Sequence, residues 1–160
     1  MDDTAPRNAD LGPALETAFR EVIETMFGLA IEGPTRLPAA RGMGMAGIIG
    51  LGGTSFRGIL SIACTPEGAR TLAGALVGGE EMLGDDPVMV SDSLGELANM
   101  LGGSVKRQID ATGGRIELSL PSVMDGEATL HGVGATGDAH LMWTVEGREV
   151  ETSLIYSDTD

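Results

Sequence analysis

Between Asp92 and Lys106 the chain reads DSLGELANMLGGSVK, and Asp92, Glu96, Asn99 and Lys106 are of types that do chemistry. Projected at about 100° per residue from Asp92, Glu96 falls near about 40°, Asn99 at about −20°, Gly103 at about 20° and Lys106 at about −40°. Leu94, Leu97, Ala98, Leu101 and Val105 fill the opposite arc, roughly 140° to 240°. A helix here buries one face and presents two acids, an amide, a bare backbone position and a cation in line. Gly102 and Gly103 each cost a helix interior about 1 kcal/mol relative to Ala. Beside exposed polar groups, a missing side chain leaves room for another molecule to approach. Asn99 is likewise a poor residue for the middle of a helix. A purely local reading stands beside the functional one: Ser93-x-x-Glu96 fits a capping box at a helix start, and a solvated amide needs no role.

Composition narrows the partners. The chain has 160 residues, 42% of them apolar, enough for one domain with its own core. Ten Lys and Arg against 24 Asp and Glu give a net charge of −14. Phosphate backbones and anionic headgroups repel such a surface, so neither nucleic acid nor membrane is expected as a partner. No apolar run approaches the ~18 residues of a membrane span, and the first ten residues, MDDTAPRNAD, do not read as a signal peptide. The single Cys64 lies in an apolar stretch and reads as a small buried hydrophobe in a reducing cytoplasm. No nucleophile–base pair and no metal-ligand spacing is present. His131 and His140 stand nine apart on strand-like segments, and each reads as ordinary.

The elements that must carry the chemical helix follow from periodicity. Residues 1–12 are expected to be a flexible arm, 13–156 a single domain, and 157–160 a tail. Phe19, Val22, Ile23, Met26, Phe27 and Ala30 recur at helical spacing, with Gly12-Pro13 as the start and Gly33-Pro34 as the close. Residues 45–64 read as a hairpin about Gly52-Gly53-Thr54-Ser55, because no helix follows the glycines as a nucleotide loop requires. Thr65-Pro66-Glu67 caps a second helix that Gly78-Gly79 ends. After the third helix, residues 91–110, Ile116, Leu118 and Leu120 alternate as the apolar side of a strand ending at Pro121. A weaker strand is expected over 128–133, and a hairpin over 141–156 turns at Glu146-Gly147. The order implies an α+β fold, a two-layer sandwich with helices packed on a mainly antiparallel sheet.

The run DSLGELANMLGG followed by ELSLP resembles the signature of the CheX/CheC/FliY family of bacterial chemotaxis phosphatases. That signature is Asp or Ser, three residues, Glu, two residues, Asn, about twenty-two residues, then Pro. Asp92, Glu96, Asn99 and Pro121 match it, with twenty-one residues before the proline. Family members with two sites carry a second Glu-x-x-Asn on the N-terminal helix. Here that helix offers only Glu21-x-x-Glu24 and Glu24-x-x-Phe27, so the chain is more similar to the single-site, CheX-like members. The resemblance implies a cytoplasmic protein phosphatase acting on the phosphoaspartate of a CheY-like receiver domain. Asn99 would orient the attacking water and Glu96 would dock the receiver, with Asp92, Gly103 and Lys106 at the contact. It implies no cofactor or metal on this chain, Mg²⁺ on the receiver, and a homodimer formed by joining sheets through the C-terminal hairpin or another edge strand.

Overall fold

The helix that carries Glu96 and Asn99 owes its position to a strand that has no side chain at the point where the two come closest. In the computed structural model, which describes residues 9–110, 115–126 and 134–158, this helix, α3, spans Pro87–Asp110. It crosses β2 (Met45–Gly52), whose Gly47 lies so close that a Cβ there would sit 2.7 Å from the Leu94 carbonyl oxygen and 3.1 Å from the Ala98 Cβ. Gly102 does the same from the helix side, with the Ile49 Cγ2 3.1 Å from where its Cβ would be. Residues 45, 47, 49 and 51 of β2 are buried toward the helices, and the intervening positions lie on the other face of the sheet.

β2 pairs with β3 (Phe56–Cys64) across the expected hairpin, and β3 pairs with β7 (Arg148–Asp158). β7 returns to β6 (Gly137–Val145) through Glu146 and Gly147, both at positive φ, the geometry of a tight hairpin turn. β1 (Ile31–Leu37) closes one edge against β6, while β4 (Glu117–Leu118) and β5 (Ser122–Asp125) both pair with the free side of β2. Every pairing is antiparallel. Helices α1 (Gly12–Arg20), α2 (Pro66–Val77) and α3 cover one face, which makes the expected α+β two-layer sandwich. Phe19 of α1 stacks on Trp143 of β6 at 4.3 Å between ring centroids, and the indole N–H of Trp143 donates to the buried Thr152 hydroxyl.

Several boundaries differ from the sequence reading, each for a local reason. The first helix stops earlier than expected: α1 passes into a π-helical turn at Glu21–Met26, and Gly28 at φ +65° ends it. Gly33-Pro34, read as a terminator, lies inside β1, where the register slips between Glu32 and Thr35. An edge strand tolerates proline at such a bulge because no partner needs its missing N–H. α3 starts at Pro87, four residues earlier than expected; Asp86 caps it by accepting the Val88 N–H at 2.9 Å. The strand expected to end at Pro121 is two short strands around a bulge. Leu120, expected on the apolar side, is 89% exposed. The strand expected over 128–133 lies outside the described residues.

Two other features bear on assembly and the N-terminus. The C-terminal hairpin is not a sheet edge as expected, because β1 covers β6 and β3 covers β7. The open edges are β1 and the β4–β5 side. At the N-terminal side, Asp10 forms a two-pronged pair with Arg36 at 2.8 and 2.9 Å, and the Tyr156 hydroxyl donates to the Ala9 carbonyl. Cys64 is buried, and burial pushes its thiol up to about 12, in keeping with an inert core position.

The contact beneath α3 yields a direct test. Gly47→Ala puts a methyl against a backbone carbonyl and is expected to lower stability by about 1–3 kcal/mol, read as the shift of the urea unfolding midpoint. An unchanged midpoint would contradict the close approach.

Candidate functional site

α3 is amphipathic in the way its spacing requires. Leu94, Leu97, Ala98, Leu101 and Val105 are buried, while Asp92, Glu96 and Asn99 are exposed along the opposite face. The capping-box reading of Ser93-x-x-Glu96 does not survive the true helix start. Glu96 lies more than two turns inside a helix that begins at Pro87, and Ser93 is buried. Among the described residues, the Glu96 and Asn99 side chains have no hydrogen-bond partner. An uncommitted carboxylate and an uncommitted amide, one turn apart on a rigid helix, are thus presented to solvent.

The neighbouring glycines divide by what surrounds them. Gly102 faces the Ile49 Cγ2 at 3.1 Å and is explained by packing against the sheet, while a Cβ at Gly95 would meet the Val123 Cγ2 and Pro121 at ordinary contact distance. Gly103 is different: the nearest atom to a Cβ there is the Arg107 Nη1, at 3.8 Å. Packing does not require a glycine at 103, and its absent side chain leaves the face beside Asn99 open. Lys106 makes an i,i+4 pair with Asp110 at 2.6 Å, which occupies the charge expected to face a partner. Asp92 remains exposed one turn before Glu96.

The segment after α3 supplies a wall that the sequence reading named only as a motif residue. Pro121 and Val123 pack beside Gly95, while Leu118 packs beside Gly102. Between those contacts, the Gly50 N–H donates to the Ser119 hydroxyl at 2.8 Å, and that hydroxyl donates to the Leu120 carbonyl at 3.0 Å. The proline that follows Asn99 in sequence is thereby brought alongside the helix turn that holds Asn99.

The N-terminal helix contributes no matching pair. Glu21 turns inward to α3, accepting from the Ser104 hydroxyl at 2.9 Å and from the Arg107 guanidinium at 2.5 Å. The Ser104 hydrogen bond first, and Arg107 second, hold its carboxyl below the usual carboxylate range. Glu21 therefore fastens the end of the first helix to α3, and no amide stands at the position three residues on.

Other chemistries find less support. Asp138, His140 and Ser153 form a hydrogen-bonded row, with His140 Nδ1 2.8 Å from the Ser153 hydroxyl and Nε2 3.0 Å from Asp138. His140 is 4% exposed and Ser153 fully buried, so no acyl carbon could reach that hydroxyl. The row fixes β6 to β7. His131 lies outside the described residues. Among the described residues there is no group of three or more potential metal ligands and no helix long and apolar enough to cross a membrane.

Residues 45–139, more than half of the chain, match the family described as chemotaxis phosphatase CheX. No curated protein sequence matches the chain. Among solved structures, a chemotaxis protein CheX from Desulfovibrio desulfuricans is 21% identical, with a TM-score of 0.75 over 90% of this chain and 97% of that one. The CheX of a CheX–CheY–BeF3–Mg²⁺ complex from Borrelia burgdorferi is 22% identical, with a TM-score of 0.76 over 92% and 98%. Thermotoga maritima FliY is more distant, 14% identical with a TM-score of 0.58 over 95% and 90%. These likenesses concern the fold, and the family match includes the whole of α3 and the wall beside it. The chain belongs to the CheX family of chemotaxis phosphatases.

Proposed function

We propose that this chain is a protein phosphatase that hydrolyses the phosphoaspartate of a CheY-like receiver domain. The observation that carries this reading is the exposed, unpartnered Asn99 amide on a rigid helix beside the open position of Gly103. The Borrelia burgdorferi CheX was solved in complex with CheY, BeF3 and Mg²⁺, and that pairing supports a receiver as the substrate here. A receiver brings its own Mg²⁺ and lysine to the phosphoryl group, so charge stabilisation comes from the substrate and this chain needs no metal of its own.

What the phosphatase adds is a placed water. The Asn99 carbonyl oxygen accepts a hydrogen bond from the water while the NH₂ donates to a phosphoryl oxygen. A carboxylate at that position would repel both the phosphoryl oxygens and the electron pair of the incoming nucleophile. Holding the water in line lowers the barrier chiefly by removing its freedom to be elsewhere. Glu96, one turn away and equally uncommitted, pairs with a basic group of the receiver and fixes the docking register; Asp92 adds to the same acidic stripe. Gly103 admits the receiver backbone, and the Lys106–Asp110 pair borders the contact. This reading places the chain in the cytoplasm with its receiver.

A homodimer completes the proposal. Among the described residues the β1 edge leaves backbone groups unpaired at the end of the sheet opposite β4 and β5, and joining it to its copy satisfies them while leaving the segment beside α3 clear. Sedimentation at about 20 μM, well above the dissociation constant of a standard-size interface, is expected to show a dimer; a monomer at that concentration would contradict it.

Substitutions separate the roles. Asn99→Ala is expected to cut the catalysed rate of phosphate release by about 100-fold or more while leaving receiver affinity within about threefold, and Asn99→Asp to lose nearly as much rate by placing a negative charge beside the phosphoryl oxygens. Glu96→Ala is expected to weaken receiver binding at unchanged melting temperature, since its side chain supports no contact of the fold. Retained catalysis in both Asn99 variants would overturn the assignment. Gly103→Ala discriminates in another way. It should raise helix stability by up to about 1 kcal/mol, since the site is open, yet weaken binding by filling the approach to Asn99. Stabilisation with unaltered binding would remove Gly103 from the contact.

A further inference from the structure

An exposed leucine stands beside the polar face of α3 on a segment that is held rather than loose. Leu51 pairs with Leu118 and Ile48 with Ser122, so two residues of β2 lie opposite three of the edge segment, Ser119, Leu120 and Pro121. Three constraints hold that bulge. Ser119 receives the Gly50 N–H on its hydroxyl and passes a hydrogen bond to the Leu120 carbonyl, its own N–H donates to the Gly50 carbonyl at 2.9 Å, and the ring of Pro121 limits its backbone. Leu118 packs beside Gly102 and Pro121 beside Gly95, one turn on either side of Asn99 along α3. Leu120 lies between Leu118 and Pro121 on this flanking segment and is 89% exposed, more than any other large hydrophobic side chain described.

Folding gains almost nothing from a leucine left in water, and the constraints on its backbone place it at one spot. We infer that Leu120 is an apolar anchor for the receiver domain, seated in a hydrophobic patch next to the receiver's phosphorylated aspartate when Glu96 and Asn99 engage. The inference rests on α3's polar face being the receiver-docking surface. It commits to the receiver as occupant because Leu120 is continuous with that face: a protein that brings a phosphoryl group to Asn99 must come over the adjoining edge. The acidic stripe and the leucine then divide the work. Glu96 and Asp92 set which way round the receiver approaches, and Leu120 slows its departure. Leu120 is a positioning residue, since it touches neither the water nor the phosphoryl group.

The experiment compares the native chain, Leu120→Ser, Leu120→Met and Asn99→Ala for binding to a CheY-type receiver loaded with BeF3⁻ and Mg²⁺. It also measures phosphate release from the phosphorylated receiver, and melting temperature. Leu120→Ser is expected to raise both Kd and KM about tenfold or more, with kcat at saturating receiver within about twofold and melting temperature unchanged. Leu120→Met is expected to restore most of the affinity, as a side chain of similar volume can fill the same patch. Ile59→Ser, at a 43% exposed residue on the opposite face of the sheet, should leave both constants alone. Native-like Kd in Leu120→Ser would overturn the anchor while the Asn99 result still tested the phosphatase reading. A fall in kcat at unchanged KM, or a loss of melting temperature that Leu120→Met does not repair, would overturn it too. Absence of any accelerated phosphate release by a native chain that still binds the receiver would overturn the phosphatase reading alone, and absence of binding by the native chain would overturn both.

Discussion

The arrangement of this molecule depends on how closely α3 lies against β2. At Gly47 the strand has no side chain, and the Leu94 carbonyl occupies the space a methyl would need. Gly102 reduces the helix surface at a second point of the same contact, above Ile49. The consequence is rotational as well as radial. With Leu94, Leu97, Ala98, Leu101 and Val105 locked into the core, the helix cannot turn about its axis, so Asp92, Glu96 and Asn99 must face solvent. A site made of two short polar side chains needs this. Asn and Glu on a loop would sample many directions, whereas here their Cα–Cβ vectors are set by a packed helix of 24 residues.

The wall beside the helix and the brace behind it serve the same end. Pro121 and Val123 lie beside Gly95 on one flank of α3, and Glu21 reaches Ser104 and Arg107 from the π-helical turn after α1. A carboxylate that is drawn inward to hold two helices together cannot also present itself to a partner. Glu21 is thus part of the support for the face that carries Glu96 and Asn99. Similar economy governs Lys106, the sole lysine, which neutralises Asp110 at the end of the same helix. The polar face that remains is acidic and uncommitted.

Much of this was legible in the residues. The two faces of α3 follow from spacing alone, because a buried leucine stripe and an exposed polar stripe are what a 3.6-residue period produces. Thr65-Pro66 at the start of α2 and Glu146-Gly147 at the last hairpin read correctly for the same reason: capping and turn chemistry act over a few residues. Long-range features did not read. Gly33-Pro34 resembles a stop signal and is instead a bulge in an edge strand, a distinction that only the neighbouring β6 can make. Leu120 obeys the alternation of Ile116 and Leu118 in sequence, yet the extra residue beside β2 displaces it to the surface. The capping box fits only a helix that starts near residue 91, and the real start is Asp86-Pro87, more than a turn earlier. The apolar length of the C-terminal hairpin makes it a candidate edge beside other edge strands, whereas strand order, which is not local, places β1 and β3 on either side of it.

A receiver-binding module and a phosphatase would share every docking feature described, and catalysis alone separates them. The most direct measurement is multiple-turnover phosphate release: a phosphorylated CheY-type receiver with Mg²⁺ is mixed with this chain at about one-hundredth of its concentration, and inorganic phosphate is followed with time. The expected result is a rate well above the receiver's own, proportional to the amount of chain added and continuing through many phosphates released per chain. A rate indistinguishable from that of the receiver alone, despite binding, would contradict the account and leave Asn99 without a catalytic role.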